Sequence, residues 1–252
     1  MKIDDIGEVR QLTLDRPQRR NALGDAMMRD LAHALQDADG DPDVRAIVLN
    51  AEPPAFCSGS DLKELRLMSV QEMCRHELAT AQVARSIAGL SKPVIVAVEG
   101  YALGGGFLLA LSCDVVVTAS NARWHLPEVP NGWLPPWGLH ALVVRTGVAR
   151  ARLLTWATDP IDGTEAHRLG LADYVTSPQQ ADDAALALAQ RLAALPPEAV
   201  TSCKRFFESF ASLDGERLDR LATLFFETDA KTRAAQATLA KFQTKPQVLV
   251  KQ

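Results

Sequence analysis

The sequence predicts an α/β layered fold. Three short, almost wholly apolar runs carry that expectation: Ala46-Ile47-Val48-Leu49, Val94-Ile95-Val96-Ala97-Val98 and Val115-Val116-Val117. Runs without polar alternation are what strands covered on both faces require. Helical patterns lie between and beyond them, and strands interleaved with helices imply helices layered on a sheet.

Each element has its own signal. Residues 26–38 put Met27, Leu31, Ala34, Leu35 and Ala38 on one face at spacings of three and four, which predicts a helix with one buried stripe. Ser69 followed by Glu72 is a capping box opening a helix that runs to about residue 88. Asp61 and Glu64 form a similar pair just after Ser58-Gly59-Ser60. No strand signal follows residue 176. From Pro196 onward the pattern is helical, with Pro197 where a first turn tolerates proline and helices predicted over 198–210, 216–229 and 232–242. The chain is therefore expected to divide into a core over 1–195 and a helical C-terminal section over 196–252.

Composition sets the class. A chain of 252 residues that is 47% hydrophobic can bury a large core without disulfide or metal staples. With 27 Lys+Arg against 31 Asp+Glu the formal charge is −4, which argues against a nucleic-acid partner. Arg16, Arg19 and Arg20 are a basic cluster sufficient for one phosphate-bearing small ligand. The four cysteines, Cys57, Cys74, Cys113 and Cys203, are widely spaced and form no C-x-x-C, so neither a disulfide framework nor a zinc site is expected. Acidic residues stand at Asp4 and Asp5 where a secretory signal would be basic. The longest apolar stretch, 101–111, is broken by glycines and is far short of the roughly 20 residues a membrane span needs. A cytoplasmic, soluble protein with no membrane partner is the expectation.

Three segments could carry chemistry. Gly100-Tyr101-Ala102-Leu103-Gly104-Gly105-Gly106-Phe107 runs from a buried strand into an apolar helix. Free N–H groups at such a corner suit a negative charge developing on oxygen, although glycines also serve plain strand–helix packing. The spacing fits neither the dinucleotide fingerprint nor the phosphate loop. Pro54-Ala55-Phe56-Cys57-Ser58-Gly59-Ser60-Asp61-Leu62 is a second strand-to-helix corner; it lacks G-x-S-x-G, so backbone donors rather than a nucleophile are its contribution, or else Asp61 is simply a helix cap. In Trp124-His125-Leu126-Pro127-Glu128-Val129-Pro130-Asn131-Gly132, a carboxylate stands between two prolines in apolar surroundings. Burial there would raise the Glu128 pKa and suit it to proton transfer. His125 reads as a structural histidine.

Together these segments resemble the crotonase superfamily, the enoyl-CoA hydratase/isomerase family, over nearly the whole chain. Leu14-Asp15-Arg16-Pro17 with Asn21-Ala22-Leu23 is similar to its N-terminal signature. The segment from Asp43 through Ala55-Phe56-Cys57-Ser58-Gly59-Ser60-Asp61-Leu62 resembles its first oxyanion segment, and Lys92-Pro93 through Gly104-Gly105-Gly106 to Cys113-Asp114 its second. Leu126-Pro127-Glu128 with Gly132, Glu165-Ala166 and Gly170-Leu171-Ala172 extend the match. The resemblance implies a spiral of ββα units, with residues 196–252 building homotrimers or hexamers. It implies an acyl-CoA thioester as substrate, so that coenzyme A arrives with the substrate and no separate cofactor or metal is needed. The thioester oxygen would be held by the N–H groups of Ser60 and Gly105, while Ser60, Asp61, Leu62 and Lys63 would line the pantetheine and adenine.

The departures from the family pattern are informative. Hydratases of the family usually carry two glutamates; Glu128 matches one, and Leu108 stands where the other would be. A single carboxylate beside an oxyanion hole suits double-bond isomerisation, which is the leading expectation. Hydration of a specialised acyl-CoA is the alternative, and a non-catalytic CoA-ester binding protein a further one. Trp133 and Trp137 replace the family's small residues, and either wall the acyl pocket, favouring a flat or cyclic acyl group, or fill core or subunit contacts.

Overall fold

A computed structural model of the chain describes residues 1–156, 159–212 and 214–242, with the side chains of 209–212 left out. The chain starts with a hairpin of β1 (Lys2–Ile6) and β2 (Val9–Leu14), then α1 (Asp25–Gly40), β3 (Ala46–Ala51), the single turn α2 (Leu62–Leu65) and α3 (Val70–Gly89). It continues through β4 (Val94–Val98), β5 (Tyr101–Leu103), α4 (Gly105–Leu111), β6 (Val115–Ala119), β7 (Arg123–His125) and α5 (Glu128–Asn131). Then come α6 (Leu139–Thr146), α7 (Val148–Trp156), β8 (Ile161–Asp162), α8 (Gly163–Arg168) and β9 (Tyr174–Thr176). Only helices follow among the described residues: α9 (Ala181–Ala193), α10 (Pro197–Ser212), α11 (Gly215–Asp229) and α12 (Arg233–Ala240).

The three apolar runs are adjacent strands of one six-stranded sheet, ordered β1-β2-β3-β4-β6-β9. It is parallel except at the β1–β2 hairpin. The strands β3, β4 and β6 are buried almost throughout, which is why their sequences show no alternation. A smaller sheet, β5-β7-β8, stands beside it. The stripe read from residues 26–38 is the buried face of α1. The Ser69–Glu72 box is made in both directions, each partner serving the other's backbone N–H. Asp61 is the N-cap of α2, accepting from the Lys63 N–H, while Glu64 turns to Arg16 rather than completing a box. The helix expected over 232–242 uses Thr232 as its N-cap and ends at Ala240. All four cysteines are free. Among the described residues no helix is long and apolar enough to cross a membrane, and no cluster of metal-ligating side chains occurs.

What positions the site is a buried asparagine. Asn21 has φ +53° and is fully buried; its Nδ2 donates to the carbonyls of Glu52 and Ala55 at 2.7 Å each, and its Oδ1 accepts from the Arg16 N–H at 2.8 Å. This pins the Leu14–Leu23 segment onto the loop after β3 and delivers Leu23 to the backbone around Ser60. Asn21→Ala leaves the buried Ala55 carbonyl and the part-buried Glu52 carbonyl without this donor, and its expected cost is about 1–3 kcal/mol of stability, measured by urea unfolding.

Candidate active site

Two strand-to-helix corners lie side by side. The Phe56 N–H donates to the Glu99 carbonyl at 2.9 Å, the Cys57 N–H to Tyr101 at 3.0 Å, and the Leu103 N–H back to Cys57 at 2.9 Å. Leu23 then forms a parallel bridge with Ser60: the Leu23 N–H donates to Gly59 O at 2.9 Å and the Asp61 N–H to Leu23 O at 3.1 Å. A parallel bridge uses the groups on either side of the central residue, so the N–H of Ser60 itself faces away from Leu23. Gly105 is the first residue of α4, where a helix N–H has no intrahelical acceptor. Among the described residues neither N–H has a backbone partner.

The corners are close because two residues lack a side chain. Gly59 has φ +82°, and a Cβ there would stand 2.8 Å from Leu103 O and 3.0 Å from the Gly105 nitrogen. Gly104 has φ +53°, and its Cβ would meet Glu128 Oε1 at 2.6 Å. Glu128 therefore lies directly against the second corner. It opens α5 after Pro127 and is 8% exposed, and its Oε2 is buried with no hydrogen-bond partner among the described residues. Burial pushes its pKa up to about 8, opposed by its backbone hydrogen bond and reinforced by the nearby charge of Glu77.

Glu77 is the second carboxylate of the site, contrary to the expectation of a lone acid drawn from Leu108. It lies on α3 four residues after Met73, is 2% exposed, and lines the same cavity as Glu128. Its Oε2 accepts from Trp137 Nε1 at 2.9 Å. Burial raises its pKa, while the positive field of His76 and hydrogen bonding by Ser60 and Trp137 pull the other way. The apolar stripe of α3, Met73, Ala81, Ala84 and Ile87, contains Glu77; a carboxylate on such a stripe is the signal that could have found it. Cys57 contributes no nucleophile, since burial pushes its thiol up to about 12.

The cavity between these groups is small, about 60 Å³. Its far wall comes from the C-terminal helices through Phe226, Ala230 and Leu239.

A family model described as enoyl-CoA hydratase/isomerase matches residues 5–249. The chain belongs to this family. The Short-chain-enoyl-CoA hydratase of Clostridium acetobutylicum is 32% identical over 226 residues, covering 89% of this chain and 85% of that protein. A human relative, Enoyl-CoA hydratase domain-containing protein 2, mitochondrial, is 32% identical over 243 residues, covering 94% of this chain and 83% of that one. The crystal structure of an enoyl-CoA hydratase/isomerase from Mycobacterium paratuberculosis superposes with a TM-score of 0.83 at 27% identity, over 95% of this chain and 97% of that one. The crotonase fold and membership of an enzyme family are thus established.

In this member of the family the cavity gathers Ser60, Leu62, Gly105, Leu108, Glu128, Trp133 and Trp137. Both tryptophans line the pocket. The Nε1–Cζ2 edge of Trp137 faces Glu77 and Gly105, and Trp133 packs edge-on against Phe226 at 6.2 Å. Asp61 and Lys63 are not on the wall. Asp61 is buried in ion pairs with Arg16 at 3.2 Å and Arg19 at 3.9 Å, and Lys63 is exposed on α2. Of the basic cluster, Arg16 and Arg19 are engaged with Asp61, and Arg20 is exposed. His125 presents its carbonyl to the Gly104 N–H at 2.9 Å.

The raised Glu128 pKa makes stability depend on pH. The unfolded carboxyl loses its proton near 4.5 and the folded one near 8, so the native state binds more protons in between and stability falls as pH rises through that window, by about 1.4 kcal/mol per pH unit. Glu128→Gln keeps the shape without the ionisation. Thermal unfolding should find it no more stable than the parent at pH 4.5 and clearly more stable at pH 8.

Proposed function

We propose that the protein catalyses the reversible addition of water to a 2-enoyl thioester of coenzyme A. The thioester oxygen is received by the Ser60 and Gly105 N–H groups, and Glu128 exchanges the proton at the α carbon. As oxygen adds to the β carbon, the π electrons move onto the thioester oxygen to give an enolate; two fixed amide dipoles meet that charge, and Glu128 delivers a proton to the α carbon. Removing one such donor typically costs about 2.7–4 kcal/mol of barrier, so the hole accounts for much of the rate. The observation that carries the reading is Glu128 itself: Oε1 against Gly104, and Oε2 buried without a partner among the described residues, in the cavity that Ser60 and Gly105 line. Relatives about a third identical carry the name hydratase, which favours addition of water. Coenzyme A enters as part of the substrate, and proton transfer requires no further cofactor.

Isomerisation of a 3-enoyl thioester is the second reading, favoured by Leu108, which faces the cavity where a further carboxylate would serve hydration. Self-association as a homotrimer or hexamer is supported by the exposed large apolar side chains of α10 and α11, Phe206, Phe207, Leu224 and Phe225 among them.

Absorbance assays with linear, aromatic and cyclic enoyl-CoA esters separate the readings: loss of the 2-enoyl chromophore marks hydration, its appearance from 3-enoyl esters isomerisation. Glu128→Gln should lower either rate by about 10²–10⁴-fold and abolish solvent deuterium exchange at the α carbon. A parent protein that binds the esters and exchanges no α proton would instead be a binding protein.

A further inference from the structure

We propose that Glu77 is a second acid/base residue of this site: Trp137 holds its carboxylate beside the Gly105 corner, where it takes the proton of the water that adds to the β carbon. This rests on the reading that the protein hydrates enoyl thioesters.

The placement comes first. Glu128 abuts Gly104, and Trp137, which carries Glu77 on its indole N–H, abuts Gly105. The two carboxylates thus approach one corner from α5 and α3 and line one cavity. Leu108 of α4 lines the same cavity and its side chain offers no polar atom, so Glu77 is the further carboxylate there that can take a proton from water. A glutamate used only for packing would be a costly choice, because an almost fully buried carboxylate is stable only with donors or a proton.

The charges then divide the roles. Two carboxylates lining one cavity resist ionising together, so the charge on one strengthens the other's hold on its proton. Glu77 has Trp137 as donor and lies beside His76, whose Nδ1 contacts Asp25 Oδ1 at 2.6 Å. Cys74 is the other titratable neighbour on α3. Glu128 Oε2 has no donor among the described residues. The negative charge therefore settles on Glu77 and the proton on Glu128. In the addition an O–H bond of water breaks and its proton goes to Glu77; the oxygen bonds to the β carbon; the enolate collects the Glu128 proton at the α carbon. The product leaves Glu77 protonated and Glu128 ionised, and a proton returns from Glu77 to Glu128 through solvent.

The test uses full-length protein with crotonyl-CoA. Glu77→Gln still accepts from Trp137, so it folds, as a thermal melt confirms. Its hydration kcat should fall about 10²-fold or more with KM within a few-fold. Exchange of the α proton of bound butyryl-CoA, which needs Glu128, should fall by less than tenfold. In the parent, kcat/KM rises with pH as Glu77 ionises and falls as Glu128 loses its proton; Glu77→Gln should lose the rising limb. Trp137→Phe keeps the carboxylate but removes one of its two donors, leaving Ser60, and should move that limb to higher pH. An active parent whose Glu77→Gln variant keeps its rate, or keeps both limbs, overturns the role of Glu77 alone. A parent that hydrates no 2-enoyl thioester overturns the functional reading, and this role with it.

Discussion

The close contact of two backbone corners is the constraint on which the rest of the molecule depends. Segments 56–59 and 99–104 run side by side through reciprocal backbone hydrogen bonds, and Gly59 stands where any Cβ would crowd the Gly105 nitrogen. The groups that face the cavity there are amides, and their direction is set by the path of the chain. Asn21 on one side and β5 on the other hold that path. Preorganisation of this kind needs no reorientation when charge develops on a bound oxygen. It also explains why the N-terminal signature, far away in sequence, belongs to the site: it supplies Leu23, whose bridge turns the Ser60 N–H outward.

Around that corner the chemistry is set by exclusion of water. Glu128 and Glu77 line the same cavity, burial raises both pKa values, and Glu128 is raised further by the charge on Glu77. Hydrogen bonding distinguishes them. Trp137 donates to Glu77, while Glu128 Oε2 has no donor among the described residues. Identical side chains in unequal surroundings take unequal roles, so the second tryptophan matters more for the donor it presents than for the surface it covers.

The strands β3, β4 and β6 and the helices α1 and α3 were legible because their burial is written directly in the spacing of apolar residues. The β1–β2 hairpin was not: every residue of β1 is exposed, and Lys2-Ile3-Asp4-Asp5-Ile6 shows no pattern of a half-buried strand. Strands β5, β7 and β8 are two or three residues long, below the length at which alternation is visible. Helix α9 went unread because its small-residue face, Ala181, Ala185 and Ala189, leaves little hydrophobic contrast. At the cavity, Ser60, Gly105 and Glu128 stand out in the sequence because each sits in a dense local motif, and the fold brings all three to its wall. Glu77 sits in none. Its meaning depends on α3 packing across the corners, and that is a tertiary fact. Asp61 carries two expectations, a helix cap from its local sequence and substrate lining from the family resemblance; its side chain caps α2 and pairs with Arg16.

The shape of the acyl pocket is determined from outside the corner. The loop carrying Trp133 and Trp137 has no regular structure of its own, and α11 holds it at three points. The Leu134 N–H donates to Asp229 at 3.0 Å, Thr223 Oγ1 to the Pro136 carbonyl at 3.2 Å, and the Gly138 N–H to Asp219 at 2.9 Å. Asp219 also pairs with Arg85 on α3, the helix that carries Glu77. One helix therefore ties together the tryptophan wall, the donor to Glu77 and the element that bears it. The amides of Ser60 and Gly105 have no part in this arrangement, their direction being set by the strand corners and Asn21. The fold thus separates a corner set by backbone hydrogen bonds from a wall whose position follows α11, and under the proposed function it is at that wall that acyl groups would be told apart.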